Sequence, residues 1–149
     1  MKTEEPYIYD GLGFPVRLDQ VDMVLIDGEW LPKIDIQAVA DKAILALGAQ
    51  EQRLTGNQLK FIRSYFSMAL RQFAETVVNE SHTAVSKWEK FGDDITNMDI
   101  NIEKIIRLYI FEHISEVNAD KGKHFLEQYK GLRNISLVKT APKNLVLAL

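Results

Sequence analysis

The stretch Ser81-His-Thr-Ala-Val-Ser-Lys-Trp-Glu-Lys90 decides how the rest of the chain is interpreted. Ser81 suits the N-cap of a helix, because its hydroxyl can accept a hydrogen bond from a backbone N–H that has no partner within the helix. Ala84, Val85 and Trp88 then fall on one side of the predicted helix. The other side carries mostly hydrogen-bond donors and cations, namely His82, Thr83, Ser86, Lys87 and Lys90. The sequence therefore predicts a short helix with a buried apolar side and an exposed polar side.

This pattern is compatible with two interpretations. A helix of this kind suits the major groove of DNA, because base edges are read through hydrogen bonds and phosphates attract cations. An ordinary amphipathic surface helix has the same pattern. On this stretch alone, both alternatives stay open.

The residues upstream favour the first interpretation. Leu70–Val78 reads as a second short helix, since four apolar residues follow helical spacing: Leu70, Phe73, Ala74 and Val77. Only Asn79 and Glu80 separate this helix from Ser81, so the two helices must cross steeply, as in a helix-turn-helix. The small side chain of Ala74 permits a close crossing.

A third helix is predicted before these two. Thr55-Gly-Asn-Gln58 fits a capping box, in which the first and last residues of the motif cap each other's backbone. The expected buried face of this helix contains Leu59, Ile62 and Phe66, with Tyr65 as a further candidate.

These three helices resemble the lambda-repressor-like family of regulators, the XRE class. The residues that carry the resemblance are Phe73-Ala74, the run Val85-Ser-Lys-Trp-Glu89, and the spacing from Ala74 to Trp88. That spacing is one residue longer than the commonest form and is similar to antitoxins of the MqsA type. The resemblance implies a homodimer that binds double-stranded operator DNA and represses its own gene as the antitoxin of a toxin–antitoxin pair. The alternative is a stand-alone regulator whose N-terminal domain binds a ligand or another protein.

The resemblance also implies which side chains contact DNA. Thr83 and Lys87 stand where the MqsA-type pattern has an Asn and an Arg that read bases, so the target sequence should differ. The family's helix cap and phosphate-binding Gln are replaced here by Ala69 and Leu70, which leaves Arg71 and Lys60 as phosphate contacts. The predicted DNA-binding residues are Lys60, Arg71, Ser81, His82, Thr83, Ser86, Lys87 and Lys90.

Some side chains near this surface have a structural interpretation instead. His82 could be a solvated side chain with no role. Trp88 is expected in the core, and Glu89 is expected to pair with Arg63 or Arg71. We expect no enzymatic activity, because no second acid, base or nucleophile accompanies Glu89 and no phosphate-binding loop is present.

The N-terminal segment is predicted to form a small antiparallel sheet of three or four strands, followed by a helix. Asp27-Gly28 is a strong signal for a two-residue hairpin turn. Asp35 should cap the helix, which extends to about Arg53. The expected strands are Tyr7–Tyr9, Phe14–Leu18, Val21–Ile26 and Glu29–Leu31, and the helical apolar positions are Ile36, Val39, Ala40, Ala43, Ile44 and Leu47.

This segment also resembles the MqsA type, whose sheet is held by zinc on two Cys-x-x-Cys pairs. The second pair falls on Leu31 and Ile34, and the first pair is missing. The resemblance therefore implies a zinc-free version, in which packing of Trp30, Leu31 and Ile34 replaces coordination. We expect no metal and no other cofactor.

Beyond Lys90, the sequence predicts a loop over residues 91–97 and a long helix to Ile114, capped by Asp99 or Thr96. Its apolar residues exceed the needs of one face, which indicates either a dimer surface or a wholly buried helix. Another helix is expected from His124 to Leu132. The apolar tail Asn144–Leu149 should dock on its own chain or on a partner.

Charge is distributed unevenly along the 149 residues. Residues 1–54 carry five Lys and Arg against ten Asp and Glu, whereas residues 55–92 carry five against three. The predicted DNA-binding segment is thus net positive in a chain of net charge −3. The acidic N-terminal segment suits a basic protein partner, such as a toxin.

Together these patterns predict an α+β protein in three parts. Residues 1–54 form a sheet and a helix for partner binding, residues 55–115 form a lambda-repressor-like helix-turn-helix domain, and residues 116–149 form a helix and tail. The chain has no cysteine, no run of eighteen apolar residues and no apolar leader, so a cytoplasmic location without a membrane span is expected.

Overall fold

The structure, a computed structural model, describes residues 2–4, 7–114 and 145–147. It has the predicted α+β composition. The chain forms two compact units, of which unit 1 contains Met1–Ala43 and Lys143–Leu149 and unit 2 contains Ile44–Pro142. No helix in the described ranges is both long and apolar enough to cross a membrane.

Unit 1 contains two three-stranded sheets rather than the single sheet that was expected. The strands are β1 (Lys2–Glu4), β2 (Tyr7–Tyr9), β3 (Val16–Leu18), β4 (Val21–Ile26), β5 (Glu29–Pro32) and β6 (Leu145–Leu147). In the first sheet, β4 lies between β1 and β5 and is antiparallel to both. In the second sheet, β3 pairs with β2 antiparallel and with β6 parallel.

The β4–β5 hairpin follows the prediction for Asp27-Gly28. Asp27 and Gly28 have φ angles of 52° and 82°, which a two-residue turn of this kind requires. Across the hairpin, Leu25 is the partner of Trp30 and Val24 is the partner of Leu31.

The apolar tail docks on its own chain, one of the two alternatives for this segment. Arg17 of β3 is the register partner of Val146, and the backbone N–H of Asp19 donates to the carbonyl of Leu147 at 3.2 Å. The predicted third part, residues 116–149, is therefore described only at Leu145–Leu147, which belongs to unit 1. The helix expected at 124–132 lies outside the described residues.

Helix α1 (Ile36–Ala49) crosses the division between the units, which falls after Ala43 and not at residue 54. Its start agrees with the sequence, because Asp35 Oδ1 accepts a hydrogen bond from the backbone N–H of Ala38 at 3.2 Å. The helix ends at Ala49, four residues before the predicted end at about Arg53. Ile36, expected to be buried, is 62% exposed, since the first turn of the helix leaves it in solvent.

Unit 2 is helical. Helix α2 spans Gly56–Tyr65, α3 spans Leu70–Phe73 and continues as a π-helical turn over Ala74–Val78, α4 spans His82–Glu89, and α5 spans Ile100–Ile114. Leu59 and Ile62 are fully buried as predicted, whereas Tyr65 and Phe66 are only half-buried. Asp99 caps α5, with its Oδ1 2.8 Å from the backbone nitrogen of Asn101.

A buried ion-pair cluster fixes the chain between α1 and α2 against α5. Glu103 is fully buried and accepts from Arg53 Nε at 2.9 Å and from Arg107 Nη2 at 2.6 Å. The same carboxylate accepts from the backbone N–H of Leu54 at 3.0 Å. Arg107 also donates to the carbonyls of Gln50 and Gln52. Burial lowers the pKa of Arg107, and the charge of Glu103 opposes that shift.

Candidate nucleic-acid interface

Helix α4 has the start that the sequence predicts. The Oγ of Ser81 accepts a hydrogen bond from the backbone N–H of Ala84 at 3.1 Å, with Ser81 in the extended conformation of an N-cap. Val85 is fully buried and Trp88 is 8% exposed. The apolar side of the stretch therefore holds α4 to the core of unit 2.

The opposite side of α4 is open and polar. Five of the predicted contact residues in this stretch are exposed, and Ser86 is half-buried; the five are Ser81, His82, Thr83, Lys87 and Lys90. Thr83 and Lys87 lie one turn apart on this side. The structure thus presents a row of hydroxyl, imidazole and ammonium groups to solvent.

The turn before α4 is set by Asn79. Asn79 has φ 52° and ψ 46°, a left-handed conformation that Asn tolerates better than most residues. The backbone N–H groups of Asn79 and Glu80 both donate to the carbonyl of Ala74. Ala74 is fully buried, as a close approach of the two helices requires. The π-helical turn itself was not predicted, since apolar spacing does not distinguish it from an α-helix.

The start of α2 is packed against the end of α4. A Cβ atom on Gly56 would lie 2.6 Å from the Glu89 carbonyl oxygen and 2.7 Å from Gly92 N, so only glycine fits there. Both hydrogen bonds of the predicted capping box are present, between Thr55 and Gln58, each at 3.1 Å. The position of α4 relative to α2 is therefore fixed by backbone contact.

An ion pair adds to this contact. Arg63 of α2 donates to Glu89 of α4 from Nε at 2.7 Å and from Nη2 at 3.0 Å. Its Nη1 donates to the carbonyl of Met68, in the turn between α2 and α3, at 3.0 Å. Hydrogen bonding to Glu89 raises the pKa of Arg63. Of the two partners considered for Glu89, Arg63 is the one that the structure selects.

The remaining predicted contacts, Lys60 and Arg71, are both exposed. Arg71 lies in α3, whose N-cap residue Ala69 provides no side-chain hydrogen bond, as its apolar side chain predicts. Both α2 and α3 pack against α4. The two predicted phosphate contacts therefore lie on the helices that support α4.

The charge of this surface is moderately positive. Because Arg63 and Glu89 neutralise each other, the exposed charges of the helical region 55–92 are four cations and two carboxylates. The cations are Lys60, Arg71, Lys87 and Lys90, and the carboxylates are Glu75 and Glu80.

One residue of this surface was not identified from the sequence. Phe91 lies two residues after the end of α4, is 37% exposed, and lies four residues after Lys87 and eight after Thr83. The sequence places it in a predicted loop, where helical spacing gives no signal for the face on which a side chain lies.

Trp30, Leu31 and Ile34 do not pack as expected for a zinc-free sheet. Trp30 is 43% exposed and Leu31 is 40% exposed, while Ile34 is half-buried. The reason is that the tip of the β4–β5 hairpin projects both faces into solvent. Among the described residues, no three His, Cys, Asp or Glu side chains are close enough to hold a metal ion.

Comparison of the chain with models of protein families, with curated proteins and with solved structures finds no match.

Proposed function

We propose that the protein is a sequence-specific DNA-binding repressor of the helix-turn-helix type. The single observation that carries this proposal is the construction of α4. Its apolar side is buried through Val85 and Trp88, its N-terminus is capped by Ser81, and its polar side is exposed and rich in donors. Base edges and phosphates are the ligands that such donors and cations bind.

The roles within this surface follow from position and chemistry. Thr83 and Lys87 contact bases, because they lie side by side one turn apart on the exposed side of α4. Ser81, His82, Ser86 and Lys90 contact the phosphates or the rim of the groove. Arg71 and Lys60 contact phosphates from the supporting helices. The net positive charge is small, so one copy binds weakly and two copies act together as a homodimer.

The experiment that tests this proposal is selection of duplexes from a random DNA pool by the full-length protein, followed by band-shift titration. We expect enrichment of one short sequence, with binding at least a hundredfold tighter than to a scrambled duplex at the same salt concentration. A pool that shows no enriched sequence contradicts the proposal.

We further propose that the repressor is the antitoxin of a toxin–antitoxin pair and that unit 1 binds the toxin. Two observations support a protein partner there. The described residues of unit 1 from 7 to 43 carry seven Asp and Glu against three Lys and Arg. The β4–β5 hairpin also exposes four large apolar side chains, Leu25, Ile26, Trp30 and Leu31, by 40 to 57%. Exposed apolar side chains are typical of a protein-binding surface, and the acidic charge of unit 1 suits a partner that has a basic surface.

The antitoxin assignment is tested with the small reading frame nearest to this gene. The two proteins are co-expressed, and retention of the second protein is compared for the parent chain and for Leu25→Ser/Leu31→Ser. We expect the variant to lose the partner but to keep its DNA binding. Retention by the variant equal to that of the parent contradicts the location of the partner surface.

A second candidate function is a stand-alone regulator whose unit 1 senses a ligand. It is favoured by an open cleft of about 330 Å³ beside the start of α1, lined by Asp22, Lys33, Asp35 and Lys42 among others. Its size lies at the lower end of the range for small-molecule sites. A small molecule that both raises the melting temperature and releases operator DNA would favour this candidate over the antitoxin.

A further inference from the structure

The open cleft of unit 1 lies between one side of α1 and one end of the first sheet. The residues that line it from α1 and its cap are Asp35, Ala38, Val39 and Lys42. They recur at i, i+3, i+4 and i+7, so they lie along one side of the helix. The facing wall contains Gln20, Val21, Asp22, Lys33 and Ile34. Every lining residue belongs to unit 1, so the cleft does not depend on unit 2.

The floor of the cleft is aliphatic. Val21 and Val39 are each 1% exposed, and Ile34 and Ala38 are half-buried. None of these described lining residues is aromatic, so the cleft offers no ring face on which a flat ligand would stack. The floor therefore suits a compact aliphatic group.

The rim of the cleft contains two opposite charges side by side. The backbone N–H of Lys33 donates to the carbonyl of Asp22 at 2.7 Å, one position beyond the Met23–Pro32 register pair. Residues directly opposite each other in adjacent strands project from the same face of a sheet. Among the described residues, neither Asp22 nor Lys33 forms a salt bridge. A carboxylate and an ammonium group are thus both available to a ligand.

The helix adds a second carboxylate and a second ammonium group. Asp35 Oδ1 already accepts from the backbone N–H of Ala38 at 3.2 Å, and Lys42 is exposed two turns farther along. The charges of the lining side chains therefore sum to zero, which disfavours a polyphosphate, since such a ligand needs an excess of cations. In the described part of the chain, no three side chains of the metal-binding types are close enough to hold a metal ion. The balance favours a ligand that carries both charges.

We infer that this cleft binds a free α-amino acid that has an aliphatic side chain. Asp22 binds the ammonium group of the ligand, Lys33 binds its carboxylate, and its side chain lies on Val21 and Val39. The cleft volume of about 330 Å³ suits a ligand of this size. The sensing role of this ligand rests on the second candidate function, but its binding is measured without DNA.

The experiment is an NMR chemical-shift titration of the ¹⁵N-labelled full-length chain with L-leucine, L-isoleucine and L-valine. We expect at least one of them to bind with a dissociation constant below about 1 mM and to shift the amide signals of Asp22 and Lys33. Glycine should bind at least about tenfold more weakly, because it buries no side chain. The amide and the N-acetyl derivative of the tightest amino acid should each bind roughly tenfold more weakly, since each lacks one charge.

Two variants assign the two charges to their partners. Asp22→Asn should weaken binding of the amino acid by about tenfold but leave binding of the N-acetyl derivative unchanged, because that derivative has no ammonium group. Lys33→Met should weaken binding of the amino acid similarly but leave binding of the amide unchanged. A merely structural role would weaken all ligands equally. Both residues are exposed, so both variants should fold, which thermal melting would check.

Matched controls come from exposed positions of unit 1 outside the cleft. They are Asp27→Asn, where Asn tolerates the left-handed conformation, and Arg17→Met. Both should bind the amino acid as the parent does.

Several outcomes would overturn the inference. They are no binding of the three amino acids, glycine or the derivatives binding as tightly as the amino acid, and variants that weaken every ligand alike. If an amino acid binds as described but does not change the affinity for operator DNA, the sensing role fails and the amino-acid site stands. If the chain selects a DNA sequence but binds no amino acid, the site fails and the DNA-binding proposal stands.

Discussion

Arg63 and Glu89 form a two-point ion pair, with Nε and Nη2 of the guanidinium 2.7 Å and 3.0 Å from the two carboxylate oxygens. The pair joins α2 to the last residue of α4, and the third guanidinium nitrogen binds the turn that leads into α3. One side chain thus positions all three helices of the candidate interface. The side chains are 15% and 10% exposed, so solvent screens the pair only partly.

Glu89→Gln should reduce the free energy of unfolding by about 2 kcal/mol, because a hydrogen bond to a charged group is stronger than one to a neutral amide. The measurement is urea unfolding followed by circular dichroism. Glu75→Gln, at an exposed carboxylate of the π-helical turn, is the control and should change stability by less than about 0.5 kcal/mol. Equal losses in the two variants would show that the pair contributes no stability.

Removing the buried charge of Glu103 should reduce the free energy of unfolding by more than Glu89→Gln does. Glu103→Gln leaves the charges of Arg53 and Arg107 buried without a counter-ion, and breaking a buried pair typically costs about 3–5 kcal/mol. The control is Glu51→Gln, the same change at an exposed carboxylate. If the melting temperature of Glu103→Gln equals that of the control, the cluster does not fix α5 against residues 50–54.

The sequence was most informative where backbone groups need a local partner. Thr55 and Ser81 were predicted as caps, and Asp99 was one of two candidates, with Thr96, for the cap of α5. Each of the three accepts a backbone hydrogen bond at the start of its helix. Capping acts over three or four residues, so the motif and its partner lie in the same stretch of sequence. The buried and exposed sides of α4 were predictable for a similar reason, since helical periodicity is local.

The sequence was less informative where distant segments meet. The pairing of β6 with β3 joins residues more than 120 positions apart, and no local pattern records it. Arg107 was missed as a core residue, because an arginine looks like a surface residue until the carbonyls and the carboxylate that surround it are known. The exposure of Trp30 was mispredicted, since hydrophobicity alone does not tell a core residue from a surface contact.

The division inside α1 predicts which fragments fold. A fragment that starts at Leu54 lacks Ile44, Leu47 and Arg53, all of which are buried in unit 2. We expect this fragment to lose the cooperative thermal transition, whereas a fragment that starts at Asp35 and retains α1 should keep it. The measurement is thermal melting by circular dichroism. A cooperative transition in the shorter fragment would place the unit boundary at residue 54.

Arg71 should contribute to binding without contributing to base preference. If it contacts one phosphate, Arg71→Ala weakens binding to all duplexes by a similar factor and lowers the slope of log K against log salt by about 1. The measurement is a band-shift titration at several salt concentrations with the selected duplex and a scrambled one. Arg17→Ala, at an exposed position of β3, serves as the control. An unchanged slope would remove Arg71 from the interface.

The central claim is that the exposed side of α4 reads DNA, and Lys87→Ala and Thr83→Ala test it most directly. The measurement is the ratio of the dissociation constants for scrambled and selected duplexes at one salt concentration, compared with the parent and with Arg17→Ala. Loss of a base contact costs about 1–3 kcal/mol, so the ratio should fall by roughly tenfold in each variant and stay unchanged in the control. If Lys87→Ala binds the selected duplex as tightly and as selectively as the parent, α4 is not the reading helix.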